Sequence, residues 1–257
     1  MEATEIRKLD ALEDTHWWYR ERRALLAGAL RRLAATGVRP ERALDVGAAG
    51  GGNTRVLRAH GWRPVALEYS AEGAGLARDR GLHVIRADAR QLPLPSAGLG
   101  LVVAFDILEH LDEDHLAAAE IRRVLRPGGT ALIAVPADLR LWSAHDVAVG
   151  HVRRYDRAGL RALMEQAGLV VDELWSWNVL LRPVAAWRRR RSTGSDLDRP
   201  HPVLNLGLRA VVAAERHLPV GALPGVSLML RAHRPGDRQP TPVTLRALTD
   251  TAPHHAR

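Results

Sequence analysis

The chain contains no cysteine, which excludes disulfides, a cysteine nucleophile and thiolate metal sites. Lysine is confined to Lys8, and with one phenylalanine and three tyrosines the aromatic content rests on seven tryptophans. No apolar run in the 257 residues approaches the roughly 20 needed to span a membrane. The start, Met1-Glu2-Ala3-Thr4-Glu5, is acidic and lacks a signal-peptide pattern, so a cytoplasmic location is expected. What is present, 46% apolar with no visible repeat, is enough for one sizeable α/β core with additions. The net charge of +8 is nearly all arginine, and alanine is abundant. A GC-rich coding sequence produces both, so part of the arginine excess carries no chemical meaning. The basic run at residues 188–191 follows Trp187. Such a run is most often a solvated face, with an anionic lipid surface or a phosphorylated substrate as the alternative and nucleic acid disfavoured.

The most specific segment is Ala43-Leu44-Asp45-Val46-Gly47-Ala48-Ala49-Gly50-Gly51-Gly52-Asn53-Thr54, a short apolar strand joined to a helix by a glycine-dense turn. Glycines permit positive φ and close approach of a bulky ligand, while the next helix directs N–H groups at it. A nucleotide-like ligand accounts for that arrangement. Glu68 ends the following apolar run, 23 residues after Asp45, near the roughly 20-residue spacing at which an acid at a second strand end grips ribose hydroxyls. Asp88-Ala89 then follows Leu82-His83-Val84-Ile85, an apolar strand ends at Phe105-Asp106, and Arg126-Pro127-Gly128-Gly129-Thr130 precedes another strand.

In this order the segments resemble the class I S-adenosylmethionine (SAM) dependent methyltransferases over residues 10–233. The turn reads Asp45-x-Gly47-x-Ala49-x-Gly51, with alanine where that family usually has its middle glycine. Alanine is acceptable there if the position keeps ordinary φ, and Gly50 and Gly52 add local freedom. The resemblance is most specific to bacterial enzymes combining His16-Trp17-Trp18-Tyr19-Arg20, Leu108-Glu109-His110-Leu111, Leu141-Trp142-Ser143-x-His145-Asp146 and Gly150-His151-x-Arg153-Arg154-Tyr155. It implies an α/β Rossmann-like fold, a seven-stranded, mostly parallel sheet of order 3-2-1-4-5-7-6 with helices on both faces. The implied cofactor is SAM, the product S-adenosylhomocysteine, and the acceptor a small molecule of natural-product or lipid-linked type. Cyclisation without net methylation, or a SAM-binding protein without turnover, stays open because fold does not fix chemistry.

The same resemblance implies residue roles. Asp45 orients the turn and the cofactor's amino group, and Gly47, Ala48 and Gly51 offer backbone contacts. Glu68 holds the ribose hydroxyls, Tyr69 covers the adenine, and Asp88 with the Ala89 amide reads its edge. Phe105 and Asp106 border the methionine portion, and Tyr19 with Arg23 closes over the carboxylate and sulfonium. For proton removal from an O or N acceptor, histidine near its ordinary pKa is the usual base. His151, His145 and His110 are the candidates, with Asp146 available to orient His151 or His145. Each reads equally well as a histidine that fixes a loop. Glu109, His110 and a nearby acid have the spacing of a metal site, but no fuller ligand set appears, so no metal is assigned.

Periodicity predicts helix over residues 3–36, and alternating strands and helices follow to residue 174. The expected division is a helical lid at 1–40, a SAM-binding core at 41–177, a helical cap at 178–223, a last strand at 224–234 and a disordered tail at 235–257. The cap is far longer than a hairpin loop. With Trp177, Trp187, the arginine run and an apolar stripe at Leu204, Leu208, Val211, Val212 and Leu218, residues 178–218 suit either a soluble pocket cover or a peripheral membrane contact. An oligomer is compatible with this surface.

Overall fold

The computed structural model describes residues 3–190 and 200–236. Arg191, most of the polar stretch before Pro202 and the tail from residue 237 lie outside the described residues. Seven strands, β1 (Arg42–Val46), β2 (Arg63–Glu68), β3 (Val84–Arg86), β4 (Leu99–Phe105), β5 (Leu125–Pro136), β6 (Val170–Trp177) and β7 (Ser227–His233), form one sheet of order β3-β2-β1-β4-β5-β7-β6. All pairings are parallel except those of β7, which runs antiparallel to β5 and β6. This is the order expected.

β4 shows why these short runs become central strands. Its seven residues are all buried, and the pleat sends them alternately to two cores. Val102 and Ala104 join Ile121, Val124, Leu160 and Met164 on one face. Leu101, Val103 and Phe105 join Leu26, Leu30, Leu33, Leu57 and Trp177 on the other.

The expected single N-terminal helix is two, α1 (Ala3–Glu13) and α2 (Trp17–Ala35). His16 breaks it, extended at ψ 134, with its side chain accepting from Trp18 N. α2 is a layer of the second core, with Leu26, Leu30 and Leu33 all buried, and its first turn meets the cavity described below. Helices α3 (Gly52–Ala59), α4 (Ala71–Asp79), α5 (Asp114–Val124), α6 (Ala144–Val149) and α7 (Arg157–Gln166) complete the core, and α8 (Arg182–Arg189) and α9 (Pro202–Glu215) fill the β6–β7 connection. Asn205 on α9 accepts from Trp17 N at 2.8 Å and donates to Thr15 O at 3.0 Å. Glu21 of α2 lies 3.6 Å from Arg209 and 3.5 Å from Arg216. The insertion is therefore docked on the N-terminal helices.

The insertion differs from expectation in two ways. Trp177, read as an interfacial residue, is 2% exposed and packs against Trp18 with ring centres 4.6 Å apart and planes tilted by 57°. Arg189, read as part of a solvated run, turns inward to Asp146 Oδ2 at 3.1 Å.

Candidate active site

Above the carboxyl ends of β1, β2 and β4 lies a cavity of about 690 Å³, a volume suited to a cofactor-sized ligand. Strand ends at a change of chain direction are where open α/β sheets hold ligands. β1 and β4 are such neighbours.

The glycine turn closes one side. Gly47 has φ +71 and Gly51 φ +88, and Ala49, against expectation, is left-handed at φ 45. That conformation costs an L-residue about 1 to 2 kcal/mol. Glu68 offsets it, its carboxylate accepting from Ala49 N at 2.8 Å and from Ser70 N at 2.9 Å. The turn's amides are also engaged: Gly47 N and Ala48 N donate to Leu67 O, and Gly51 N to Ala48 O. What the turn offers a ligand is close main-chain approach rather than those N–H groups. Gly47, Ala48 and Ala49 face the cavity, whereas Asp45 and Gly51 lie beneath it. Asp45 is 1% exposed and accepts from Thr54 Oγ1 at 2.6 Å through one oxygen, while its other oxygen has no hydrogen-bond partner among the described residues. Burial pushes its carboxyl up to about 7 despite the Thr54 bond.

Glu68, Tyr69, Asp88 and Ala89 line the cavity together. Asp88 is clasped by Arg90, at 3.0 Å to Nε and 2.7 Å to Nη2, and that pairing lowers its pKa. Phe105, Asp106, Tyr19 and Arg23 also line it. Arg23 donates to Glu13 O at 2.5 Å and pairs with Asp14 at 3.3 Å.

The arginine that reaches the strand ends is Arg22, which the sequence reading did not select. It is 4% exposed, pairs with Asp106, and lies 4.9 Å from the Trp177 ring centre and 5.2 Å from that of Trp18. Asp106 is itself left-handed at φ 56. Helical spacing held the signal, because Arg22 falls in step with Trp18, Leu26 and Leu30 on the face α2 buries.

The three histidines do converge. The His151 ring lies 4.8 Å from His110 and 6.3 Å from His145, near perpendicular to both. His110 Nδ1 faces Gly150 O at 3.0 Å, and Val152 N donates to Glu109 O at 2.8 Å. Burial, then the neighbouring His151, pushes His110 down to about 4. His151 Nδ1 is 2.8 Å from Asp146 Oδ1. Asp146, wholly buried, also receives Arg154 Nε at 2.9 Å and Ser143 N at 3.0 Å. Burial opposes its ionisation, but the His151 bond, Arg154 and Arg189 outweigh it and hold the carboxyl well below the usual range. Glu109 is the opposite case. It is fully buried, and burial, then Asp106, raises its pKa well above the ordinary value.

Comparison with known proteins agrees with this geometry. A probable S-adenosylmethionine-dependent methyltransferase of Mycolicibacterium smegmatis is 27% identical over 171 residues, covering 65% of this chain and 65% of that protein. The chain thus spans just under two thirds of that relative's length. A malonyl-[acyl-carrier protein] O-methyltransferase of Serratia marcescens is 32% identical over 99 residues, 38% of this chain and 39% of that one. Among solved structures, a chain from the "Complex between the Haloferax volcanii Trm112 methyltransferase activator and the putative methyltransferase" superposes with TM-score 0.60 at 23% identity, covering 91% of this chain and 96% of its own. The family described as "Methyltransferase domain" matches residues 18–174, more than half of the chain, and the protein belongs to that family.

Proposed function

We propose that the protein is a SAM-dependent methyltransferase acting on a small or carrier-linked acceptor. The observation that carries this reading is one cavity shared by a strand-end glycine turn, the Glu68 carboxylate and a histidine cluster. SAM supplies an activated sulfonium methyl, which leaves with the C–S bonding pair remaining on sulfur. The residues fit that cofactor: Glu68 and Tyr69 would hold the ribose and cover the adenine, with Asp88 and Ala89 at its edge. Phe105, Asp106, Tyr19 and Arg23 would surround the methionine end, alongside Arg22.

The acceptor takes the other end, where Leu181, Val184, Ala185, Arg188 and Arg189 form a half-apolar, half-cationic wall. The acceptor's lone pair would take the methyl carbon, and the His110, His145 and His151 cluster would receive the acceptor's proton. His151 suits this best, since Asp146 behind Nδ1 leaves the Nε2 lone pair facing inward. The malonyl-carrier relative supports a carboxylate carried on a larger partner, and the arginines suit its charge. Calorimetric titration with SAM tests the cofactor, and S-adenosylhomocysteine release with candidate acceptors tests the reaction. SAM binding without any consumption while an acceptor is converted would favour the cyclisation reading, and absence of SAM binding would overturn the assignment.

A second reading concerns the insertion. Val203, Leu204 and Leu206 on α9 and Trp187 on α8 are more than half exposed, which supports peripheral contact with an anionic membrane surface.

A further inference from the structure

Glu109, His110 and His151 do something that proton transfer does not require. One ligand atom from each lies within 4.8 Å of the other two. Glu109 has zero exposure, and neither of its carboxylate oxygens has a hydrogen-bond partner among the described residues. A carboxylate buried without a partner is costly unless something compensates its charge. Its Oε1 lies 3.8 Å from His151 Nε2.

Both imidazoles are held from behind. His110 Nδ1 is 3.0 Å from the Gly150 carbonyl, and His151 Nδ1 is 2.8 Å from the Asp146 carboxylate. Each partner accepts a hydrogen bond, which places the proton on Nδ1 and leaves Nε2 with a lone pair. A carbonyl or carboxylate behind each histidine is the outer support that orients metal-ligating imidazoles. The two segments are pinned together by Val152 N donating to Glu109 O at 2.8 Å, so the three donors are arranged by the fold rather than gathered from flexible loops.

We propose that Glu109, His110 and His151 bind a divalent first-row transition-metal cation of the zinc class. Two imidazole nitrogens favour such a cation over magnesium or calcium, and one carboxylate completes a three-ligand site with open positions. Those positions face the cavity, where an acceptor oxygen can occupy one. With the cation bound, the His110 and His151 lone pairs are engaged and the cation itself lowers the acceptor's pKa, so the base role of His151 belongs to the cation-free site alone. That placement beside the acceptor rests on the methyltransferase reading, whereas cation binding itself does not.

The test uses the full chain, stripped with chelator and titrated with Co²⁺ by visible absorption, then with Zn²⁺ in competition. One equivalent should bind with the absorption of a low-coordinate nitrogen and oxygen site. H110A, H151A and the isosteric E109Q should abolish it, and D146N should weaken it about 10- to 100-fold. H83A, at an exposed histidine outside the cluster, should bind like the parent. Circular dichroism and SAM calorimetry on each variant separate lost cation binding from lost fold. Should the variants fail to fold, ¹⁵N-histidine spectra of the parent decide, since Zn²⁺ must shift two Nε2 signals. No uptake by the parent, uptake retained by all three ligand variants, or unshifted histidine signals would each overturn the proposal. Loss of SAM binding with cation binding intact would instead strike the methyltransferase reading.

Discussion

Replacing Asp146 by asparagine is the perturbation with the largest expected effect for the smallest change in shape. The carboxylate is wholly buried and is the common partner of Arg154, whose guanidinium is also buried, of Arg189 and of His151. D146N keeps the volume and one acceptor but removes the charge, leaving two guanidiniums facing an amide. Removing one partner of a buried pair costs roughly 3 to 5 kcal/mol, because the uncompensated charge stays behind. At about 2 to 4 °C per kcal/mol for a chain of this size, the melting midpoint should fall by about 6 to 20 °C. Urea denaturation of D146N, R154M and the double variant gives the coupling, expected to exceed about 1 kcal/mol for residues in one network. SAM affinity should not move, since Asp146 is not part of the cavity wall. A D146N midpoint within about 2 °C of the parent, or additive single losses, would refute the view that this carboxylate organises the His151 loop.

Much of the fold was legible because short apolar runs bounded by glycine and acids read as parallel strands buried on both faces, with Gly47, Glu68 and Asp106 marking three of their carboxyl ends, and the family resemblance supplied their order. What escaped reading depends on distance or on a single torsion. Ala49 looked harmless if its φ were ordinary; the structure makes it left-handed and recruits Glu68 to hold it. The family resemblance points to Arg23, whereas the neighbouring Arg22 reaches Asp106 because only its position shares the buried face of α2. The metal-like spacing at Glu109 and His110 lacked a third ligand in local sequence. That ligand, His151, lies on another segment and is brought in by a backbone bond that no periodicity reports. The stripe expected on one helix to Leu218 divides: α9 ends at Glu215, Val212 is buried against the core, and Leu204 on α9 and Leu218 beyond it remain about half exposed.

Four further outcomes follow from the geometry. G51R should lower the melting midpoint as well as SAM affinity, because φ is +88 and a Cβ there would sit 2.1 Å from Leu82 Cδ1; a stable variant that binds SAM would contradict the packing. E68A removes the acceptor for Ala49 N and Ser70 N, and calorimetry should show SAM affinity reduced by about one to two decades. Sedimentation with liposomes should show binding that needs anionic lipid and weakens in a V203S/L206S/W187S variant, and no binding to any liposome would leave the insertion as a pocket wall alone. The last outcome is the pH dependence set by Asp45. In the folded protein its proton is held up to about pH 7, against an ordinary value of 3.8, so between those values the folded state binds more protons than the unfolded one. Stability from this group therefore falls as pH rises through that window, by about 4 kcal/mol in all, and the loss is complete above it. D45N should keep the Thr54 hydrogen bond and lose that slope. The difference in unfolding free energy between parent and D45N, measured in urea at pH 5 and pH 8, should shift in favour of D45N at the higher pH; an unchanged difference would mean that Asp45 is ionised throughout, with its second oxygen satisfied by water.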